Sequence, residues 1–375
     1  MDFELTEEQE MVRRMSHEFA DEVISPRAEE MEKGGEVPYD IIDKMADLGM
    51  MGIPYPEKYG GSGGDWVSQM LCTEEISRGD VSLGALLDVT SIVAEELYEF
   101  GLEEQKQRWL IPLTKGKEIG AFGLTEPEAG SDAGATRTTA VLDGDEWVIN
   151  GTKQFISNIG YKNSPMVVIT ARSGKNIINT FVVPKGVPGF AIGEHEDKLG
   201  WRSFPTCALF FEDCRIPRGY ILGEEGRGFA QHLTALQTGR IYVAAASVGL
   251  AQACFDATLA YAKERVQFGR PIYNFQGVSF KLADMAMSIE LGRLMYLKAA
   301  WLKDKGLPHT LQASYAKLFA SEMAEKAASD ALQIHGGYGY MTEYAVSRYY
   351  KFSKLLQIIE GTSEVQRMVI SRNLQ

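Results

Sequence analysis

Glu360 sits in the run Ile358-Ile359-Glu360-Gly361-Thr362-Ser363-Glu364. Two isoleucines and a glycine offer little to hydrate an ionised carboxylate. Burial in such surroundings raises a carboxyl pKa toward working pH, as a general base requires. The same residues also read as the start of a last helix, with Thr362 or Ser363 as N-cap and Glu360 solvated beside it. Residue types alone leave both readings open.

Four other clusters carry polar chemistry, each with a plainer alternative. Gly123-Leu124-Thr125-Glu126-Pro127-Glu128-Ala129-Gly130-Ser131-Asp132 gathers small residues and hydroxyls around a proline turn. Its N–H groups and hydroxyls suit a flat polar ring or a phosphate, or they form an Asx/ST-type turn at a strand end. In Gly151-Thr152-Lys153-Gln154-Phe155-Ile156-Ser157-Asn158 an aromatic precedes a hydroxyl by two residues. On a strand both share one face, as a stacking platform with a donor or as a hairpin edge with one core aromatic. In Arg265-Val266-Gln267-Phe268-Gly269-Arg270-Pro271, the two arginines suit a pyrophosphate. They equally complement the dipole of a helix that Gly269 and Pro271 terminate. Gln333-Ile334-His335-Gly336-Gly337-Tyr338-Gly339-Tyr340 is rich in glycine within a helical region. That is costly unless the backbone approaches something closely, or turns between helices.

These clusters need elements to hold them. Residues 1–117 read as helical: Thr6 and Gln9 form a capping-box pattern with Leu5 as the staple residue, and Pro38 marks a helix start. Tyr59-Gly60-Gly61-Ser62-Gly63-Gly64 is a loop. Over 118–223 the apolar period changes to two. Thr139 to Leu142 and Trp147 to Asn150 flank Asp143-Gly144-Asp145 as a hairpin, with further strands over Met166 to Thr170, Ile177 to Val183 and Ala208 to Phe211. Over 224–375 the helical period returns: Leu282, Met285, Ala286 and Ile289 line one face, predicting an antiparallel bundle. The fold class is mostly α with a central β domain.

Bulk properties exclude several functions. A net charge of −13 opposes nucleic-acid or anionic-membrane binding. No apolar run approaches the roughly 18 residues of a membrane span. The acidic start, Met1-Asp2-Phe3-Glu4, is unlike a signal or transit peptide, so a cytoplasmic protein is expected. Cys72, Cys207, Cys214 and Cys254 form no C-x-x-C pair, and no metal site is expected. There is no G-x-G-x-x-G, P-loop, zincin helix or G-x-S-x-G elbow.

Taken together, the clusters make the chain resemble the acyl-CoA dehydrogenase family. The residues that carry the likeness are Leu124-Thr125-Glu126-Pro127 with Gly130-Ser131-Asp132, Asn150-Gly151-Thr152-Lys153, Glu264-Arg265 with Gln267-Phe268-Gly269, Gln333 with Gly336-Gly337, and Glu360-Gly361-Thr362. Pro56-Glu57, Tyr59-Gly60-Gly61 and Glu74-Glu75 extend it to nearly the full length. The resemblance implies an N-terminal helical domain, a middle β-barrel-like domain and a C-terminal four-helix bundle, assembled as a homotetramer that is a dimer of dimers. It implies one non-covalent FAD per subunit, contacted by Phe122, Leu124, Thr125, Gly130, Ser131, Phe155 and Ser157. Many relatives carry Trp and Thr where this chain has Phe155 and Ser157. Arg265, Gln267, Phe268, Gln333, Gly336 and Gly337 resemble residues that reach the FAD of a neighbouring subunit. Thr362 and Glu364 resemble the pair near the adenosine, although relatives often carry Gln at the second position.

For substrate, the likeness implies an acyl-CoA, with Ser131 and Arg240 near the CoA. Leu87 to Ile92, Tyr242, Ile359 and Gly361 fall at the acyl group. Relatives place the catalytic Glu either before the Gly-Thr of the last motif or just before the Arg of the bundle's first helix. Here the second position is Gly239, so the resemblance assigns the base to Glu360. The implied reaction removes the α-proton and passes the β-hydride to flavin N5, giving a 2,3-enoyl-CoA. Hydrogen bonds to the thioester oxygen come from the Glu360 N–H and a ribityl hydroxyl, and an electron-transfer flavoprotein takes the electrons. No Lys or Arg occurs from Val81 to Glu96, which disfavours a dicarboxylic substrate. An enoyl-CoA reductase working in reverse, an oxidase or flavin monooxygenase on the same fold, and a non-catalytic flavin-binding scaffold are the alternatives.

Overall fold

Local signals start the first helix. In the computed structural model, which describes residues 4–374, Thr6 Oγ1 accepts from Gln9 N while the Gln9 side chain accepts from Thr6 N. This closed capping box begins α1 (Glu7–Phe19). Leu5 packs against the main core. After a widened π turn (Ala20–Ile24) and a tight 3-10 turn (Ser25–Arg27) come α2 (Ala28–Gly34), α3 (Tyr39–Asp47) with Pro38 at its N-cap, α4 (Trp66–Gly79) and α5 (Val81–Phe100). The short turns α6 (Glu103–Gln105) and α7 (Ile111–Thr114) lead into the sheet.

The middle region is a mixed eight-stranded sheet: β1 (Ala121–Gly123), β2 (Thr139–Asp143), β3 (Glu146–Ser157), β4 (Met166–Gly174), β5 (Ile177–Pro184), β6 (Phe190–His195), β7 (Thr206–Pro217) and β8 (Ile221–Leu222). The strand order is β6-β7-β3-β2-β4-β5-β8, with β1 running parallel to β4. β2 and β3 form the expected hairpin, turning on Gly144 and Asp145. β3 and β7 extend well beyond their sequence-predicted ends because they pair along most of their length. β1 and β6 are absent from the sequence reading. β1 is too short to show a period, and β6 is an exposed edge without apolar alternation.

The chain then forms α8 (Gly228–Glu264), a small ribbon of β9 (Val266–Gln267) and β10 (Arg270–Pro271), α9 (Gln276–Asp304), α10 (Thr310–His335), α11 (Ala345–Leu356) and α12 (Ser363–Arg372). α8 packs against α4 and α5 on one side and α9 and α10 on the other. It is the one described helix long and apolar enough to cross a membrane, and most of that stretch is buried, as in a core helix. A second contact area joins Val93, Ala94 and Leu97 of α5 to Val168 and Val182 of the sheet. α5 therefore touches both the sheet and α8, so its side chains and those of α8 can converge. All four cysteines are buried and free.

Candidate active site

The loop between α11 and α12 carries Glu360. Ile358 N and Ile359 N both bond Leu355 O, extending α11 by part of a turn. The backbone then reverses through positive φ at Glu360 (53°) and Gly361 (90°). A left-handed glutamate is uncommon and persists only where its surroundings enforce it. Gln366 Nε2 donates to the carbonyls of Glu360 at 3.1 Å and Gly361 at 2.9 Å. Lys317 Nζ donates to Gly361 O at 2.8 Å. Thr362 caps α12 by accepting from Val365 N. The capping reading of this motif is therefore correct for Thr362, but one oxygen of the Glu360 carboxylate, Oε2, is closed off from solvent.

Although Glu360 as a residue is half-buried, its Oε2 is closed off from solvent and has no hydrogen-bond partner. Burial pushes its carboxyl up, the charges of Arg240 and Lys317 pull it back, and the outcome is about 7. Both cations are buried. Burial lowers Arg240, opposed by Glu360, and brings Lys317 down to about 8, again opposed by Glu360. A carboxylate balanced near neutrality without donors is a proton acceptor in waiting.

The neighbouring helix makes room for it. A Cβ on Gly239 would stand 2.8 Å from Glu360 Oε2 and 2.8 Å from Ile92 Cδ1. Position 239 and the Glu360 carboxylate thus occupy one spot. Arg240 and the fully buried Tyr242 follow on α8, and Leu87 precedes on α5. Ile359 packs against the same core. Of the residues expected at the substrate, Arg240 acts on the Glu360 carboxylate, Ile359 and Gly361 flank it, and Ser131 lies apart on an exposed loop of the β region.

A second grouping lies on the sheet. Gln154 N donates to Thr125 O at 2.9 Å, pinning the Thr125 loop to β3 beside Phe155. Phe155 is 63% exposed although aromatic. The expected strand alternation is interrupted here: the β3–β7 register shifts between Lys153 and Ile156, and Phe155 has φ 60°. A bulge, rather than regular pleating, presents the ring. Ser157 Oγ is 3.4 Å from Thr206 Oγ1. Phe122, on β1, stacks on buried His232 with centroids 3.8 Å apart. Leu124, Gly130 and Ser131 belong to the adjoining partly exposed loop. Beneath it, Lys153 Nζ bonds Glu126 Oε1 at 2.8 Å and Leu124 O at 3.1 Å.

The third grouping sits at the far end of the bundle. α8 stops at Glu264, and Phe268 and Gly269 turn the β9–β10 ribbon, both with positive φ (50° and 78°). This two-residue hairpin replaces the expected plain helix stop. Phe268 is 95% exposed. Arg265 lies over the Tyr338 ring and Arg270 over the Phe275 ring. A cleft of about 450 Å³ is lined by Arg265, Gln267, Gly336 and Gly337. An adjoining one of about 330 Å³ is lined by Gln267, Phe268 and Gln333. Neither includes Glu360. Glu364 lies exposed in the first turn of α12.

Family models match the chain over its length: acyl-CoA dehydrogenase N-terminal domain at 6–117, middle domain at 121–214 and C-terminal domain at 226–375. The chain belongs to the acyl-CoA dehydrogenase family. It is 53% identical to a probable acyl-CoA dehydrogenase, YngJ, of Bacillus subtilis, covering all of both chains. It is 46% identical to the short-chain specific acyl-CoA dehydrogenase of Clostridium acetobutylicum, covering 99% of each. Among solved structures, a chain from work on the electron transferring flavoprotein of Acidaminococcus fermentans, addressing flavin-based electron bifurcation, superposes with TM-score 0.97 at 45% identity. That match covers 100% of this chain and 99% of the other.

Sequence reading did not single out Lys317, Gln366, Asp88 or the Glu126–Lys153 contact as parts of a site. Lys317 had a visible signal. It shares a helix face with Ala313, Ala316 and Ala320, all buried, where a lysine is unexpected.

Proposed function

We propose that this chain is an FAD-dependent acyl-CoA dehydrogenase that removes the α-proton of a short acyl thioester with Glu360 and yields the 2,3-enoyl-CoA. One observation carries this reading: Glu360 Oε2 is closed off without a donor, and burial against the charges of Arg240 and Lys317 brings the carboxyl to about 7. The residues present fit the flavin. An exposed aromatic on a bulge, with the Thr125 backbone and the Ser157 hydroxyl beside it, suits a flat polar ring.

FAD, when bound, supplies the acceptor for the electron pair leaving the β-carbon. The rest falls to this chain. Glu360 takes the α-proton onto the carboxylate, and its desolvation makes that transfer possible near neutral pH. Gln366 and Lys317 hold the Glu360–Gly361 backbone turned inward, which aims the carboxylate and leaves the Glu360 N–H for the thioester oxygen. Apolar walls from Leu87, Ile92 and Ile359 exclude water from the reacting carbons.

Electrons then pass to an electron-transfer flavoprotein. The cleft around Arg265, Gln267 and Gly336, with Phe268 projecting beside it, supports a partner subunit completing the cofactor site within a homotetramer. Four buried thiols suit a cytoplasmic, reducing setting. The test is anaerobic titration of the FAD-loaded protein with acyl-CoAs of increasing length, following the flavin's visible absorbance. Bleaching by short saturated esters is expected. Bleaching by none, with oxidation of the chemically reduced protein by an enoyl-CoA, would favour a reductase working in the opposite direction.

A further inference from the structure

The acyl wall contains a second carboxyl that the mechanism above does not use. Asp88 lies mid-way along α5, one turn before Ile92. Ile92 Cδ1 and Glu360 Oε2 both stand 2.8 Å from the Cβ position of Gly239. The i, i+4 spacing puts Asp88 on that same face of α5. Asp88 is 4% exposed, and its Oδ1 is closed off with no hydrogen-bond partner. Burial raises its carboxyl well above the usual range, with the charge of Glu360 adding to the effect. The two groups therefore lie near each other in the interior. The hydroxyl of Tyr242 is fully buried, interacts with Ser91 and lies near enough to feel Asp88.

Asp88 does not cap its helix. The helix N-cap is Asp80, whose side chain accepts from Ser82 N. No Lys or Arg occurs between Val81 and Glu96 to offset it. An unmatched buried polar group costs stability and is retained where a ligand matches it. An unsubstituted acyl chain would leave Asp88 unmet. A distal carboxylate would bring a further charge into the buried surroundings of Glu360. A chain carrying a hydrogen-bond donor would satisfy Asp88.

We propose that Asp88, with the Tyr242 hydroxyl, forms a polar end to the acyl site and selects short acyl thioesters bearing a hydrogen-bond donor, a hydroxyl in the simplest case. This rests on the reading that the acyl group lies against Glu360. A site built to bond a substrate hydroxyl rejects the analogue that lacks it, by up to on the order of 10⁴-fold.

The experiment compares 4-hydroxybutyryl-CoA with pentanoyl-CoA, which replaces the hydroxyl by a methyl. Both are titrated anaerobically against the FAD-loaded protein and its Asp88→Leu and Asp88→Asn variants. The wild type is expected to favour 4-hydroxybutyryl-CoA in kcat/KM by at least about tenfold, and Asp88→Leu to reverse the preference. The thermal midpoint of Asp88→Leu is expected to rise, because an unmatched polar group has been removed. A wild-type preference for pentanoyl-CoA, or a ratio unchanged in Asp88→Leu, would overturn the polar subsite while leaving the dehydrogenase reading intact. A lower midpoint in both variants would assign Asp88 a structural role and overturn it too. If neither ester bleaches the flavin in the wild type while another short saturated acyl-CoA does, the subsite is overturned and the dehydrogenase reading stands; bleaching by no acyl-CoA overturns both.

Discussion

Two glutamates in this chain, one buried and one half-buried with a closed-off oxygen, have opposite fates. Glu126 lies under the Thr125 loop and Glu360 under the α11–α12 loop. Glu126 is 5% exposed and accepts from Lys153 Nζ, Thr136 Oγ1 and the N–H groups of Arg137 and Thr138. Burial pushes its carboxyl up, but Lys153 and these donors outweigh that and hold it down at about 2. Glu360 has cations nearby but no donor on Oε2, so burial prevails and the carboxyl reaches about 7. Desolvation is common to both; the count of donors separates an anchor from a base.

Glu360→Gln tests the contrast most severely. It should lower kcat/KM by on the order of 10⁴ while FAD stays bound and the fold intact. Bleaching at the wild-type rate would show the proton going elsewhere. Glu126→Gln should do the converse: breaking a buried pair costs about 3–5 kcal/mol, read as a lower thermal midpoint and looser FAD. The two carboxyls also bend stability against pH in opposite directions. Glu126, held below its ordinary value of 4.5, contributes stability above that value which is lost as pH falls toward 2. Glu360, held above 4.5, binds its proton more tightly folded than unfolded, so its contribution declines as pH rises from 4.5 to about 7. Acid unfolding of Glu126→Gln should lose the steep low-pH limb that the wild type shows, and an unchanged limb would mean that Glu126 is not the anchor.

The smallest effect is expected from Lys317→Met. With one cation gone, the limb of the pH–rate profile that reports Glu360 should move up by about one unit, with only a modest fall in rate above it. An unmoved limb, with a general loss of FAD, would reduce Lys317 to a support for the Gly361 carbonyl.

What could be read from the sequence was local. The Thr6–Gln9 capping box, the β2–β3 hairpin and the long helical periods are written in adjacent residues, and the apolar neighbours of Glu360 already hinted at its burial. What could not be read depends on distant partners. Phe155 is presented by a bulge set by the β3–β7 register, which pairs residues some fifty positions apart. Lys153 meets Glu126 only because β3 passes beneath the Thr125 loop. Asp88 and Glu360 come from opposite ends of the chain, and neither alone signals the other. Phe268 looked like a residue beyond a helix stop, yet it tips a hairpin because the two residues of the turn take left-handed backbone together.

The shared spot at Gly239 also constrains how such a site can change through descent. The space beside Ile92 holds the Glu360 carboxylate and leaves no room for a side chain from position 239 of α8. A side chain arriving at 239 while Glu360 remains must push that carboxylate aside. Losing Glu360 first leaves the pocket without a base. Neither single step is silent, so a lineage that moves its base between these helices must cross a poorly active intermediate, and the address of the base should be slow to change even where the acyl pocket around it drifts freely.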